Sequence, residues 1–198
     1  MGLRERKAAR TRAQIIDVAI RLFTERGYEA TTMEEIAEQA EVGSSTLYRY
    51  FPSKELLLLD PFARTGTLSQ ALRGRPAEEP IDLALGHAIH DGLTTISDSE
   101  PNLDVVRAII DRSPGPRARL WDLIAQDRNL LEDAVAERLE LDPSDLTVVL
   151  TTRIALLVIE VAADARRSSH HSITLSDTAD QIIARLNQPG IISPRLPA

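Results

Sequence analysis

A chain of 198 residues, 43% apolar and 27% charged, is long enough for one sizeable core or for a small head on a larger body, and its composition is globular. It has no cysteine, which excludes a disulfide framework, a thiolate nucleophile and cysteine-based zinc sites, and suits a reducing cytoplasm. The net charge of −7 argues against an overall basic coat, so the distribution of charge matters more than the total.

Residues 1–60 hold nine Lys/Arg against ten Asp/Glu, and most of the acidic excess lies in residues 61–198. Within the first twelve residues five groups are basic and one is acidic. A basic arm on a near-neutral head, with an acidic body, fits a DNA binder whose body is repelled from phosphate. The opening MGLRERKAARTR has no apolar stretch after it and does not read as a secretory signal. The longest unbroken apolar run, Ile154 to Ile159, is far short of the roughly 18 residues of a membrane span. A soluble, cytoplasmic protein without a membrane partner is expected.

Residues 5–26 read as one helix, with Ile16, Ala19, Ile20 and Phe23 as its apolar stripe and Ile15 and Leu22 widening it. Gly27 supplies a residue able to take positive φ and end it. Thr32 with Glu35 three residues on forms a capping box for a short second helix, whose inner face is Met33, Ile36, Ala37 and Ala40. Glu41-Val42-Gly43 breaks the pattern, and Ser44-Ser45-Thr46-Leu47-Tyr48-Arg49-Tyr50-Phe51 follows as a third helix, with Val42 and Leu47 plugging the inside of the turn. Two short helices joined by a turn of about three or four residues form the supersecondary unit that reads DNA. Pro52 stops the third helix, and Ser53 is placed to cap a fourth that begins at Lys54.

The block EVGSSTLYRYFPSKELLL, with Thr32 and Ile36-Ala37 upstream, resembles the DNA-binding head of the TetR family of one-component regulators. The likeness covers roughly residues 10–60. It implies a three-helix head on a variable helical body that dimerises and binds a small ligand. Glu41 stands where that family usually has glycine; a left-handed conformation there costs a non-glycine residue about 1–2 kcal/mol. Gly43 stands where a capping serine is common, and Ser44 where a basic residue is frequent.

At the start of the third helix Ser44, Ser45 and Thr46 are small enough to let the backbone approach a major groove. Their hydroxyls suit several base edges, and simple N-capping by Ser44 or Ser45 is the alternative. The resemblance puts Tyr48 and Tyr50 near phosphate oxygens, with core packing as the alternative for Tyr50. Arg49 is a base contact, a phosphate contact or a solvated charge. Lys54 and Thr32, each at a helix N-terminus, are placed to join backbone N–H groups at a phosphate. Leu47, Ile36 and Phe51 read as core.

Pro61 interrupts what would otherwise be one helix from Ser53 to about Leu72, either kinking it or starting a new one capped by Asp60. After a linker at 74–80, helices are expected over Ile81–Ser97 (Leu85, Ala88, Ile89, Leu93 and Ile96 inward) and Asn102–Arg112. Arg117–Leu139, Leu146–Arg167 and Thr174–Leu186 complete an all-α fold of about nine helices. The domains expected are a head, 1–60, and an effector-binding and dimerisation body, 61–198.

Leu146–Arg167 is apolar around most of its circumference, which suits a two-fold interface made with the last helix. Arg153, Leu157 and Glu160 share one face; Arg153 is placed to pair with Glu160 across a dyad, to pair within the chain, or to hold an anionic ligand. His87, His90, Trp121 and Arg153 are the candidate ligand residues. His87 and His90 at i, i+3, beside Asp91, lack a third metal ligand, and His170 and His171 fall in a loop; no metal and no cofactor are expected.

No nucleophile set, phosphate loop or metal cluster suggests an enzyme. The expected function is that of a homodimeric transcriptional regulator. It represses from a near-palindromic double-stranded operator and is released by a small-molecule effector of hydrophobic or amphipathic character. The alternative is a helical ligand-binding or interaction protein that does not bind DNA.

Overall fold

The computed structural model describes residues 2–62, 66–99, 102–168 and 174–191. Among them there are ten α-helices, one 3₁₀ turn and no strand. His170 and His171, and the side chain of Ile96, lie outside the described residues.

The chain divides into two compact units, residues 1–65 with 100–125, and residues 66–99 with 126–198. The first contains α1 (Leu3–Arg26), α2 (Met33–Gln39), α3 (Ser44–Tyr50), α4 (Lys54–Leu58), the 3₁₀ turn Asp60–Phe62, α7 (Leu103–Arg112) and the start of α8 (Pro114–Leu139). Its core is continuous: Ile15, Leu22, Ile36, Leu47, Phe51 and Leu57 are buried together with Val106 and Ile110 of α7. Ile15 and Leu22 form the centre of the α1 stripe and Ile16 its edge, because α1 is covered on one side by α2 and α4 and on another by α7. α7 and the start of α8, counted with the body on sequence alone, thus pack into the same core as the head helices.

The ends of these helices follow local chemistry. Gly27 takes φ 88°, and its N–H donates to Phe23 O at 3.1 Å. At the end of α2 the N–H of Val42 donates to Ala37 O (3.0 Å) and that of Glu41 to Glu38 O (3.1 Å), a Schellman closure with Glu41 at φ 54°. The same closure ends α8, where Leu141 donates to Ala136 O and Glu140 takes φ 55°. Neither residue gains from the left-handed backbone what glycine would. Glu41→Gly is expected to raise the stability of the first unit by about 1 kcal/mol, read as a higher urea midpoint at unchanged m-value; a lower midpoint would count against a strained turn.

Two breaks differ from the sequence reading. At Pro61 α4 has already ended, at Leu58, and Asp60–Phe62 form a 3₁₀ turn, since proline has no N–H with which to carry the α-helical bonding on to Leu57. Conversely, α8 starts at Pro114 rather than Arg117. A proline in the first turn gives up only an N–H that has no helical partner, and Ser113 O receives the N–H of Arg117 at 3.1 Å.

The second unit holds α5 (Thr67–Arg73), α6 (Ile81–Ser99), the rest of α8, α9 (Leu146–Ser168) and α10 (Leu175–Leu186). Leu85, Ala88, Ile89 and Leu93 of α6 are buried, and α6 and α9 both pack on α10. The 74–80 linker is clamped by Arg138, whose guanidinium donates to the carbonyls of Pro76 and Glu79, the latter at 2.7 Å. Arg75 binds Glu79 bidentately and His87 Nδ1 lies 2.7 Å from the same carboxylate. Above all the hydrogen bonds from Arg75 hold Glu79 down to about 2.

α9 has two apolar faces. Val148, Ala155, Val158 and Ala162 are buried, whereas Leu146, Leu150, Ile154, Leu157 and Val161 form an exposed stripe. The segment Leu146–Arg166 is long and apolar enough by composition to cross a membrane, although its longest unbroken apolar run is only Ile154–Ile159. Arg153 pairs within the chain, with Glu132 of α8 at 3.4 Å.

Candidate nucleic-acid interface

The α2–turn–α3 segment presents its polar residues outward because its apolar ones are fully used. Ile36, Ala40 and Leu47 are completely buried, and Val42 packs at the edge of the same core. Gly43 is the N-cap of α3, its carbonyl accepting from the N–H groups of Thr46 (2.8 Å) and Leu47 (3.0 Å), and no side chain caps this end. The N-capping alternative for Ser44 and Ser45 therefore does not hold. The hydroxyls of Ser44, Ser45 and Thr46 make no hydrogen bond among the described residues, and Ser44 and Ser45 are exposed.

The other predicted contacts are more committed. Thr32 caps α2 as expected: its Oγ1 accepts from Glu35 N–H (3.2 Å), and its own N–H donates to Glu35 Oε2 (2.8 Å). The backbone bond first, and then one from the Thr32 hydroxyl to Glu35 Oε2 (3.0 Å), hold the Glu35 carboxyl below its ordinary value, so a phosphate reaches Thr32 N–H only by displacing Glu35. Tyr48 is 43% exposed and its hydroxyl donates to Glu34 at 3.2 Å, a partner on α2 that sequence spacing did not single out. Tyr50 is half-buried against the core, and the guanidinium of exposed Arg49 lies 5.6 Å from its ring centroid. The core reading of Tyr50 thus applies to its ring.

Lys54 is placed by its fold rather than by a ligand. Its ammonium donates to Tyr28 O (2.8 Å) and Thr31 O (3.0 Å) and lies 4.3 Å from the Tyr28 ring centroid. Two of three donors strap the loop between α1 and α2, and one remains. Ser53 occupies the N-cap position of α4 without a side-chain cap bond. Burial first, and then the Glu55 carboxylate, push the Tyr28 hydroxyl well above its ordinary range. Arg12, counted in sequence with the basic arm, is ion-paired to Asp60 and sits 4.5 Å over the Phe51 ring. Its charge is used to lock α1 to the 3₁₀ turn.

Within the second unit His87, His90 and Arg153 each lie against a carboxylate of their own. Trp121 is 59% exposed on the outer side of α8, because its neighbour Leu120, one helical step round, takes the core position. His90 Nδ1 lies 2.9 Å from Asp180 and His87 belongs to the Arg75–Glu79 cluster; both are solvent-accessible contacts to a carboxylate. No group of three potential metal ligands assembles among the described residues. An open depression of about 330 Å³ near the end of α8, lined by Asp133, Glu137, Glu140 and Leu141 among others, contains none of the four predicted ligand residues.

Comparison with known proteins fits this geometry. The family described as bacterial regulatory proteins, tetR family, matches residues 15–60. The chain is 35% identical over 152 residues to the HTH-type transcriptional regulator TcmR of Streptomyces glaucescens, covering 73% of this chain and 67% of that one. It is 49% identical over 53 residues to the HTH-type transcriptional repressor KstR of Rhodococcus jostii, a match to 27% of this chain and 25% of KstR. The fold is similar to that of the transcriptional regulator FadR from Bacillus subtilis, solved with stearoyl-CoA, at a TM-score of 0.61, 19% identity and 88% and 96% coverage. With an outward-facing hydroxyl-lined helix on a packed helix-turn-helix head, and with these relatives, the chain belongs to the TetR family of bacterial regulatory proteins and is a DNA-binding transcriptional regulator.

Proposed function

We propose that the chain is a homodimeric, cytoplasmic repressor that holds a near-palindromic operator through α3 and leaves it when a small molecule occupies its helical body. The observation that carries the reading is the free hydroxyl set of Ser44, Ser45 and Thr46 on a helix anchored by the fully buried Leu47. The bases are read by these groups, and Tyr48, Arg49, Tyr50, Lys54 and Thr32 hold flanking phosphates. The exposed stripe of α9 supports pairing with a second copy, with Leu157 on the stripe and Arg153 and Glu160 along its rim. Two heads on one face of a duplex sit about 34–36 Å apart or a multiple of it. The effector shifts the population toward head separations that do not fit. The ligand of FadR belongs to that protein; a ligand-bound relative of this fold and the apolar stock of the body support a hydrophobic or amphipathic effector here.

The test is selection of a random duplex library by the full-length protein, followed by titration of the selected duplex against salt. Wild type is expected to select a two-fold symmetric sequence, and Lys54→Ala to flatten the salt slope by about one unit per head. Because Lys54 also straps the 28–31 backbone, the slope is read at temperatures where the variant is folded. No enriched sequence would sink the reading, and an unchanged slope would take Lys54 off the phosphate list.

A further inference from the structure

The start of α1 is helical yet buries almost nothing: residues 3–7, 9 and 10 are exposed, and the first fully buried side chain is Ile15. From Leu3 to Gln14 this is roughly 17 Å of helix. Its alanines, arginines and lysine are good helix formers, and it grows from the packed segment behind it. Its charges, however, oppose local electrostatics. Arg4, Arg6 and Lys7 lie in the first two turns, where the helix dipole disfavours cations, and Arg6 and Arg10 are like charges four residues apart. Glu5 is the one acid before Asp17, and its carboxylate is occupied by the N–H of Gly2 at 2.7 Å. Arg12, Arg21 and Arg26 each have a carboxylate partner; among the described residues Arg4, Arg6, Lys7 and Arg10 have none.

Helix phase gives these cations a direction. Lys7, Arg10, Gln14 and Arg21 share one face, and its later members touch the end of α2. Gln14 Nε2 donates to Ala40 O at 2.9 Å, and Arg21 Nη2 to Gln39 Oε1 at 3.5 Å. Lys7 and Arg10 therefore lie on the side of α1 that faces the turn leading into α3, with Arg6 on the flank.

We propose that Arg6, Lys7 and Arg10 form a helical rail that holds the DNA backbone beside the α3 site, a second phosphate-binding element built into the first helix. The proposal rests on the reading that the head binds DNA. A cationic helix also suits an anionic lipid surface, but Leu3 is the sole large exposed apolar residue on α1, so there is no apolar face to insert. An uncompensated positive edge continuous with a groove-reading element matches a phosphate backbone.

The full-length triple variant Arg6→Gln/Lys7→Gln/Arg10→Gln tests it, since glutamine keeps helix propensity at exposed positions. Wild type and variant are titrated against salt on a selected duplex of about 30 base pairs and on sonicated non-specific DNA. Each lost phosphate contact removes about 0.9 from the salt slope, so the expected result is a flattening of about 2.7 units per head on both probes, with the selected sequence unchanged. Lys7→Gln alone, expected to flatten the slope by about one unit per head, gives the answer if the triple variant does not fold. A smaller change on either probe overturns the rail, as does loss of binding to phosphatidylglycerol vesicles with DNA binding intact. A wild-type chain that retains no duplex overturns the DNA-binding reading and the rail with it; a wild type that binds beside a variant of unaltered slope overturns the rail alone.

Discussion

Replacing Ile154 and Leu157 together with glutamate is expected to give a folded monomer that binds operator about a hundredfold or more less tightly. Both side chains are about half exposed in the isolated chain, at 51% and 47%. The substitution therefore removes little from the chain's own core, and exposed changes of this kind usually cost within about 0.5 kcal/mol. In a two-fold dimer the same positions meet their own copies, and four carboxylates would be brought into an apolar seam without partners. The second head then no longer binds at the high effective concentration that linkage supplies. Sedimentation should show one chain per particle, circular dichroism an unchanged helix content, and titration the loss of affinity. A variant that still sediments as a dimer at micromolar concentration would remove α9 from the interface. Loss of helix content would instead show that the stripe belongs to the chain's own core.

Phe51→Ala should be the most damaging single change in the head, at about 3–5 kcal/mol. Phe51 is 1% exposed, packs with Leu47, Ile36 and Leu57, and carries the Arg12 guanidinium over its ring. Truncation leaves a cavity under α3 and removes the platform of Arg12, an aromatic contact of about 0.5–1 kcal/mol at a partly exposed site. Against a total stability of about 5–15 kcal/mol for a domain, such a loss frees α3 from its support and should abolish operator binding. Denaturant titration and amide exchange at residues 44–51 measure it directly. A cost under about 1 kcal/mol would mean that the site collapses around the missing ring and that Phe51 does not fix α3.

The head was legible in the sequence to an unusual depth. The cap at Thr32, the stop at Gly27, the left-handed Glu41 and the buried faces of α1 to α3 all depend on residues within about one or two helical turns of one another, so periodicity and capping rules suffice. The candidate site was legible only as a set of residue types. Ser44 and Ser45 make no hydrogen bond among the described residues, but Thr32, Tyr48 and Lys54 each have protein partners that change what a phosphate must displace.

By itself, then, the sequence determined an all-helical chain, a helix-turn-helix head and its family, because amphipathic period, caps and a specific run of residues are local properties. The tertiary structure alone decided which polar groups are already occupied. Lys54 is bonded to Tyr28, His90 to Asp180 and Arg153 to Glu132, partners tens of residues apart whose pairing depends on how the helices cross. It also decided that Val106 and Ile110 share a core with the head, and that Trp121 is left outside while Leu120 takes the core position. One step along a helix turns a side chain by about 100°, and only the packing of neighbours fixes which face is inward.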